Sequence, residues 1–72
     1  MKDTFSDRFT MLLNENDLTQ RDAAAKIGCS KSAVKSWLDG ETCSGRHLIA
    51  ISQTFKVSAD WLLGLSNSRK RR

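Results

Sequence analysis

An all-α fold of five short helices is what this sequence predicts, and three observations carry that reading. Proline is absent from all 72 residues, and helix formers dominate. Apolar residues recur at three- and four-residue spacing in segments that each follow a hydroxyl residue able to cap them. No stretch alternates with the period of two that a half-buried strand would show. A chain of this length buries only about 60% of its unfolded surface, so it makes one domain from compact, local elements. Hydrophobic residues at 39% and charged residues at 28% are ordinary globular values and argue against a disordered chain.

The first helix is expected over residues 4–16. Phe5, Phe9, Leu12 and Leu13 form one apolar stripe, Thr4 with Asp7 can make a capping box, and Asn16-Asp17 reads as the stop. Met11 lies off the stripe and is expected to be partly exposed, while Leu18 tucks the connection into the core. Thr19 and Asp22 repeat the capping signature before a second helix at 20–27. Its Ala23, Ala24 and Ala25 are small enough for a neighbouring helix to come close, and Ile27 is its apolar anchor. Gly28 stands where a helix stop favours left-handed dihedrals.

Ser30 caps a third helix, 31–39, with Val34, Trp37 and Leu38 on one face and Lys31, Ser32, Lys35 and Ser36 on another, and Gly40 closes it. The loop ETCSG, 41–45, offers Ser44 as the cap of a fourth helix that runs to Phe55 and buries Leu48, Ile51, Phe55 and part of Ile49. Lys56-Val57 turns the chain with Val57 inside. Ser58 caps a short fifth helix at 59–63, with Asp60 at the positive end of its dipole and Gly64 as its end. Residues 1–65 are thus expected to be the domain and 66–72 an unstructured, flexible basic tail or linker.

Charge narrows the function classes. The net +4 belongs to the last four residues, Arg69, Lys70, Arg71 and Arg72; residues 1–68 carry eight basic and eight acidic side chains. Any attraction of the folded part for a polyanion must come from where its cations sit. The tail could add phosphate attraction, begin a linker or solubilise the chain. Cys29 and Cys43 lie fourteen apart and read as free thiols in a reducing, cytosolic setting. With the lone His47 they supply too few ligands for a metal site. There is no glycine-rich phosphate loop, no paired carboxylates and no base beside either cysteine, so an enzyme is the poorest fit and no cofactor is expected. No segment approaches the roughly 18 apolar residues of a membrane span, and the N-terminal residues lack the apolar run of a signal peptide.

Two short helices joined at a glycine, with the polar face of the second left free, make a helix-turn-helix. Leu18-Thr19-Gln20, Ala24, Gly28, Ser30-Lys31-Ser32, Val34, Leu38 and Gly40 stand in the register of the lambda-repressor-like (Cro/C1-type, XRE) DNA-binding family, which the chain resembles over residues 5–64. Residues 57–64, VSADWLLG, are similar to the closing helix of phage repressors in that family. Two positions depart from the pattern. Lys31 stands where many relatives carry glutamine, which bears on the target sequence, and Cys43 where many carry proline, which bears on the loop.

The resemblance implies a transcriptional regulator of the phage or prophage repressor or Cro-like kind, its third helix in the major groove of a double-stranded operator. It makes Lys31, Ser32 and Lys35, with Ser36 behind them, the candidate base readers. Lysine donates to guanine O6 and N7, so a guanine-containing half-site is expected. Thr19, Gln20 and Arg21 at the start of the second helix, and Thr42, Ser44 and Arg46 after the third, are the candidate backbone contacts. The plain alternative makes Lys31 and Lys35 solvated surface charges. Trp37 and Trp61 read as packing residues rather than base platforms.

Leu62, Leu63 and Leu65 admit two readings, a self-association patch or one core leucine with scatter around it. The first fits a homodimer, at least on DNA, and a pseudo-palindromic operator. The rival function on the same fold is an antitoxin-like or adaptor protein-interaction module.

Overall fold

The computed structural model describes residues 4–69, which contain five helices: α1 (Phe5–Glu15), α2 (Gln20–Ile27), α3 (Lys31–Leu38), α4 (Gly45–Phe55) and α5 (Ala59–Leu62). The starts follow the caps. Thr4 Oγ1 accepts from the Asp7 N–H at 3.2 Å and Asp7 Oδ2 accepts from the Thr4 N–H at 3.1 Å. Thr19 and Asp22 form the same reciprocal pair at 3.1 and 3.2 Å. Ser30 caps α3 and Ser58 caps α5 through single bonds to the Ala33 and Trp61 N–H groups. Helices α3 and α5 end at Leu38 and Leu62, one residue short of the expected ends, with Asp39 and Leu63 as their C-caps.

All five helices stop in one way. A residue with left-handed backbone, namely Asp17, Gly28, Gly40, Lys56 or Gly64, turns the chain out of the helix. The following N–H then reaches back to a carbonyl in the last turn: Leu18 to Leu13, Cys29 to Ala24, Glu41 to Ser36, Val57 to Ser52 and Leu65 to Asp60, all between 2.9 and 3.1 Å. Orphan carbonyls are satisfied, and after the first four stops the next helix starts within a few residues. Three of the five positions are glycine; Asp17 and Lys56 hold the same conformation with side chains.

The core is one cluster. Phe5, Phe9, Leu12 and Leu13 of α1 meet Ala23, Ala24 and Ile27 of α2, Val34 and Trp37 of α3, Ile51 of α4, Val57, and Trp61 and Leu62 of α5. Met11 is partly exposed and Leu18 half-buried against the core, as expected. Four readings need correction. Ala25 is exposed, because α2 turns only its Ala23–Ala24 side inward. Leu48 and Phe55 are half-buried against the core and Ile49 is 59% exposed, since the inner side of α4 is centred on Ile51 and Ser52. Ser44 holds the N-cap position of α4 with extended backbone, but its hydroxyl pairs with His47 Nδ1 at 3.0 Å instead of accepting a backbone N–H.

The fourth concerns the tail. Within the described part of it, residues 66–69 are tied to the body. Arg8 Nη1 donates to the Ser66 carbonyl at 2.8 Å and the Arg69 carbonyl accepts from the Ser58 N–H at 2.8 Å. The Arg69 guanidinium forks onto Glu15 at 2.6 and 2.9 Å. Lys70, Arg71 and Arg72 lie outside the described residues.

Candidate nucleic-acid interface

The candidate surface begins at the back of α3. Val34 and Trp37, three residues apart, fall on the buried side of the helix. The Trp37 indole meets Phe5 and Phe9 edge-on, both at 79°, with centroids 6.3 and 5.5 Å away. Those two phenyl rings stack on each other at 5.7 Å and 8°. Edge-to-face pairs of this kind add about 0.5–1.5 kcal/mol each beyond area burial and restrict the tilt of the rings. The Ser6 hydroxyl donates to the Trp37 carbonyl, which ties the last turn of α3 to α1. From the other side the His47 ring lies 5.2 Å from the Trp37 centroid, itself held by Ser44. Helix α3 is therefore clamped between α1, α2 and the start of α4.

That clamping decides what faces outward. Lys31, Ser32 and Lys35 are exposed, while Ser36 is half-buried and its carbonyl is used in the helix stop by the Glu41 N–H. Residues 31, 32 and 35 share one face, 35 standing four residues from 31 and three from 32. Ser36 stands at the edge of that face. Among candidate backbone contacts, Thr19 and Arg21 are exposed and Gln20 half-buried at the first turn of α2. The Thr19 hydroxyl is occupied by the Asp22 N–H. By helix geometry the N–H groups of Gln20 and Arg21, at the first two positions, lack intrahelical acceptors and suit an anion. Thr42 in the loop and Ser44 and Arg46 at the start of α4 are exposed. Helix α2 packs against both α3 and α4, so these segments belong to neighbouring elements.

Arg69 does not join this set, because its guanidinium is bound to Glu15 and lies over Trp61. Trp61 is buried, as its packing role required, and Leu62 is core. Leu63 and Leu65 are exposed beside α5. Cys29 and Cys43 are free and half-buried, and burial pushes both thiols up, away from the reactive thiolate. Among the described residues no group of three or more His, Cys, Asp and Glu side chains could hold a metal ion, and no helix is long and apolar enough to cross a membrane.

Residues missed from the sequence are supports. Ser6 and His47 brace Trp37 from α1 and α4, while Arg8, only 7% exposed, joins α1 to α5 and the segment after it. Nothing local marks Ser6 or Arg8; the three-residue Ser44–His47 spacing was the one available signal.

Comparison with known proteins agrees with this architecture. The family model described as Helix-turn-helix matches residues 11–62. The chain is 34% identical over 68 residues, 94% of its length, to "Repressor protein CI" of Enterobacteria phage phi80, and spans 29% of the length of that relative.

Proposed function

The chain belongs to the helix-turn-helix family, and on that premise we propose that it is a sequence-specific double-stranded-DNA-binding transcriptional regulator of the phage-repressor kind. One observation carries the reading: a helix locked from behind by Val34 and Trp37 presents Lys31, Ser32 and Lys35 to solvent with no acidic side chain before Asp39. A rigid helix with donors on its outer face fits a major groove, where base edges are read by directional bonds. In this reading Lys31, Ser32 and Lys35 contact base edges, Ser36 supports them at the margin, and guanine lies within the half-site.

Backbone contacts come from Gln20 and Arg21 with the open N–H groups at the start of α2, beside Thr19, and from Thr42, Ser44 and Arg46. They position the helix without reading sequence. The protein acts in the cytoplasm without a cofactor and without catalysis. Residues 1–65 make the DNA-binding unit, to which 66–72 are an appended basic segment. Exposed Leu63 and Leu65 support a homodimer formed at least on DNA, and with it a pseudo-palindromic operator. The same two side chains favour the second reading, an adaptor that binds protein through the α5 side.

Selection from a random duplex library at two salt concentrations tests the assignment, with Lys31→Ala beside the native chain. A guanine-containing motif in the native chain, with preference lost but weak binding kept in the variant, is the expected result. Equal loss on every sequence would reduce Lys31 to a phosphate contact, and no selected motif at all would favour the adaptor.

A further inference from the structure

Residues 66–69 return to the body through three contacts of different chemistry. Buried Arg8 donates from Nη1 to both the Trp61 and the Ser66 carbonyls, each at 2.8 Å. The Ser58 N–H, which as the N-cap of α5 has no acceptor inside its own helix, donates to the Arg69 carbonyl. Arg69 then reaches across to α1, where its two Nη atoms grip both Glu15 oxygens; this hydrogen-bonded pairing holds the Glu15 carboxyl below its usual range. Two guanidinium groups lie over the Trp61 ring, Arg8 at 5.0 Å and Arg69 at 4.7 Å from its centroid.

These contacts differ in their sensitivity to salt. The Arg8 bonds are buried and poorly screened. The Arg69–Glu15 fork is open to solvent, with both side chains more than 40% exposed, and it weakens as ions are added. Arg8 and Arg69 therefore make an inner and an outer fastening, and only the outer one is released by conditions that leave the core intact.

We propose that residues 66–69 are a salt-releasable clasp, built from Arg69, Glu15 and Trp61 over a permanent Arg8 anchor, which joins α5 to the end of α1 and fixes where the chain leaves the domain. Closed, it withdraws Arg69 from the cations available to a polyanion and holds residue 69 against Glu15, Ser58 and Trp61, on the α1 and α5 side of the domain. Open, it leaves the helices in place and frees the segment after Ser66.

The Ser58 amide is the natural reporter, since its acceptor is the Arg69 carbonyl. Hydrogen exchange on the full chain should show Arg69→Ala raising the Ser58 rate about fivefold, with the Phe9, Leu12 and Ile51 amides unchanged. Raising salt to about 1 M should speed Ser58 exchange in the native chain and not in the variant. The charge-swapped double variant, Glu15→Arg with Arg69→Glu, should restore slow exchange. The clasp is refuted if Arg69→Ala leaves Ser58 unchanged, or if the three core amides accelerate together with it. As an arm that depends on DNA binding, the salt slope of duplex affinity should be the same with and without the Arg69 side chain; a shallower slope in the variant would make Arg69 a phosphate contact and overturn its withdrawal.

Discussion

Replacing Gly28 by alanine isolates the turn on which the helix-turn-helix depends. Gly28 sits at φ +86° and ψ +38°, and a Cβ built there meets nothing within 4 Å. The substitution therefore makes no collision, and its effect is a backbone effect. Holding an L-residue in the left-handed region costs about 1–2 kcal/mol. Alanine also narrows the unfolded ensemble, which offsets about 0.4–1 kcal/mol of that. The net loss should be about 1 kcal/mol, out of the roughly 5–15 kcal/mol that holds a small domain together.

In a chain of this size such a loss lowers Tm by about 4–8 °C. Urea unfolding should show the midpoint falling with the slope unchanged, because the surface exposed on unfolding is the same. Asparagine, which visits the left-handed region more readily, should lose less than alanine, and valine should lose more. A loss above about 3 kcal/mol for alanine would mean that the side chain meets structure after all, and a clear gain in stability would mean that residue 28 is not left-handed. Either outcome would refute the reasoning.

Other perturbations reach the remaining links. Thr19→Ala removes the hydroxyl that accepts from the Asp22 N–H and should lower stability by about 1 kcal/mol, measured by denaturation without DNA; a neutral result would show the cap is not formed in solution. Phe9→Ala empties the centre of the aromatic bed beneath α3 and should lose about 3–5 kcal/mol, measured by urea unfolding followed by circular dichroism; a loss under about 1 kcal/mol would contradict the packing described. The Thr19 N–H, with its hydroxyl, holds the Asp22 carboxyl below its ordinary value, so its contribution is complete above the unfolded value of about 3.9 and is lost as pH falls through the folded one. The stability advantage of the native chain over Asp22→Asn should accordingly vanish in acid, and an advantage that survives there counts against the pairing. Arg46→Ala should weaken all duplexes alike and flatten the salt slope by about 0.9; selective loss on the preferred sequence would make Arg46 a base reader.

Much of the fold is legible in the sequence because its instructions are local. Thr4 with Asp7 and Thr19 with Asp22 act over three residues, and the Phe5, Phe9, Leu12 and Leu13 stripe needs only helical periodicity. The stops at Gly28, Gly40 and Gly64 advertise themselves. Lys56 does not, since a lysine in left-handed backbone carries no compositional mark; Ser52 supports it, donating from its hydroxyl to the Val57 carbonyl at 2.6 Å. Residues 66–69 were misread as unstructured, and the Arg8 that anchors them was not singled out, for a related reason. Their partners lie 53 to 58 residues apart in sequence, and an arginine in a first helix looks like surface until α5 comes back over it. For the interface, the outward face of α3 follows from periodicity. What braces it from behind, Ser6 and His47 on either side of Trp37, exists only after α1 and α4 have met α3.

The two buried tryptophans give the molecule an optical consequence. The chain has no tyrosine, so with excitation beyond the phenylalanine band all of its emission comes from Trp37 and Trp61. One indole is wedged under α3 among Phe5, Phe9 and His47, and the other lies beneath the guanidinium groups of Arg8 and Arg69. With either indole changed to phenylalanine, the survivor becomes a single-site lamp. The Trp37 channel would report on the packing beneath α3, and the Trp61 channel on the contacts of residues 66–69. Two neighbouring parts of one core, joined through α1, could then be followed separately in one cuvette, without a dye.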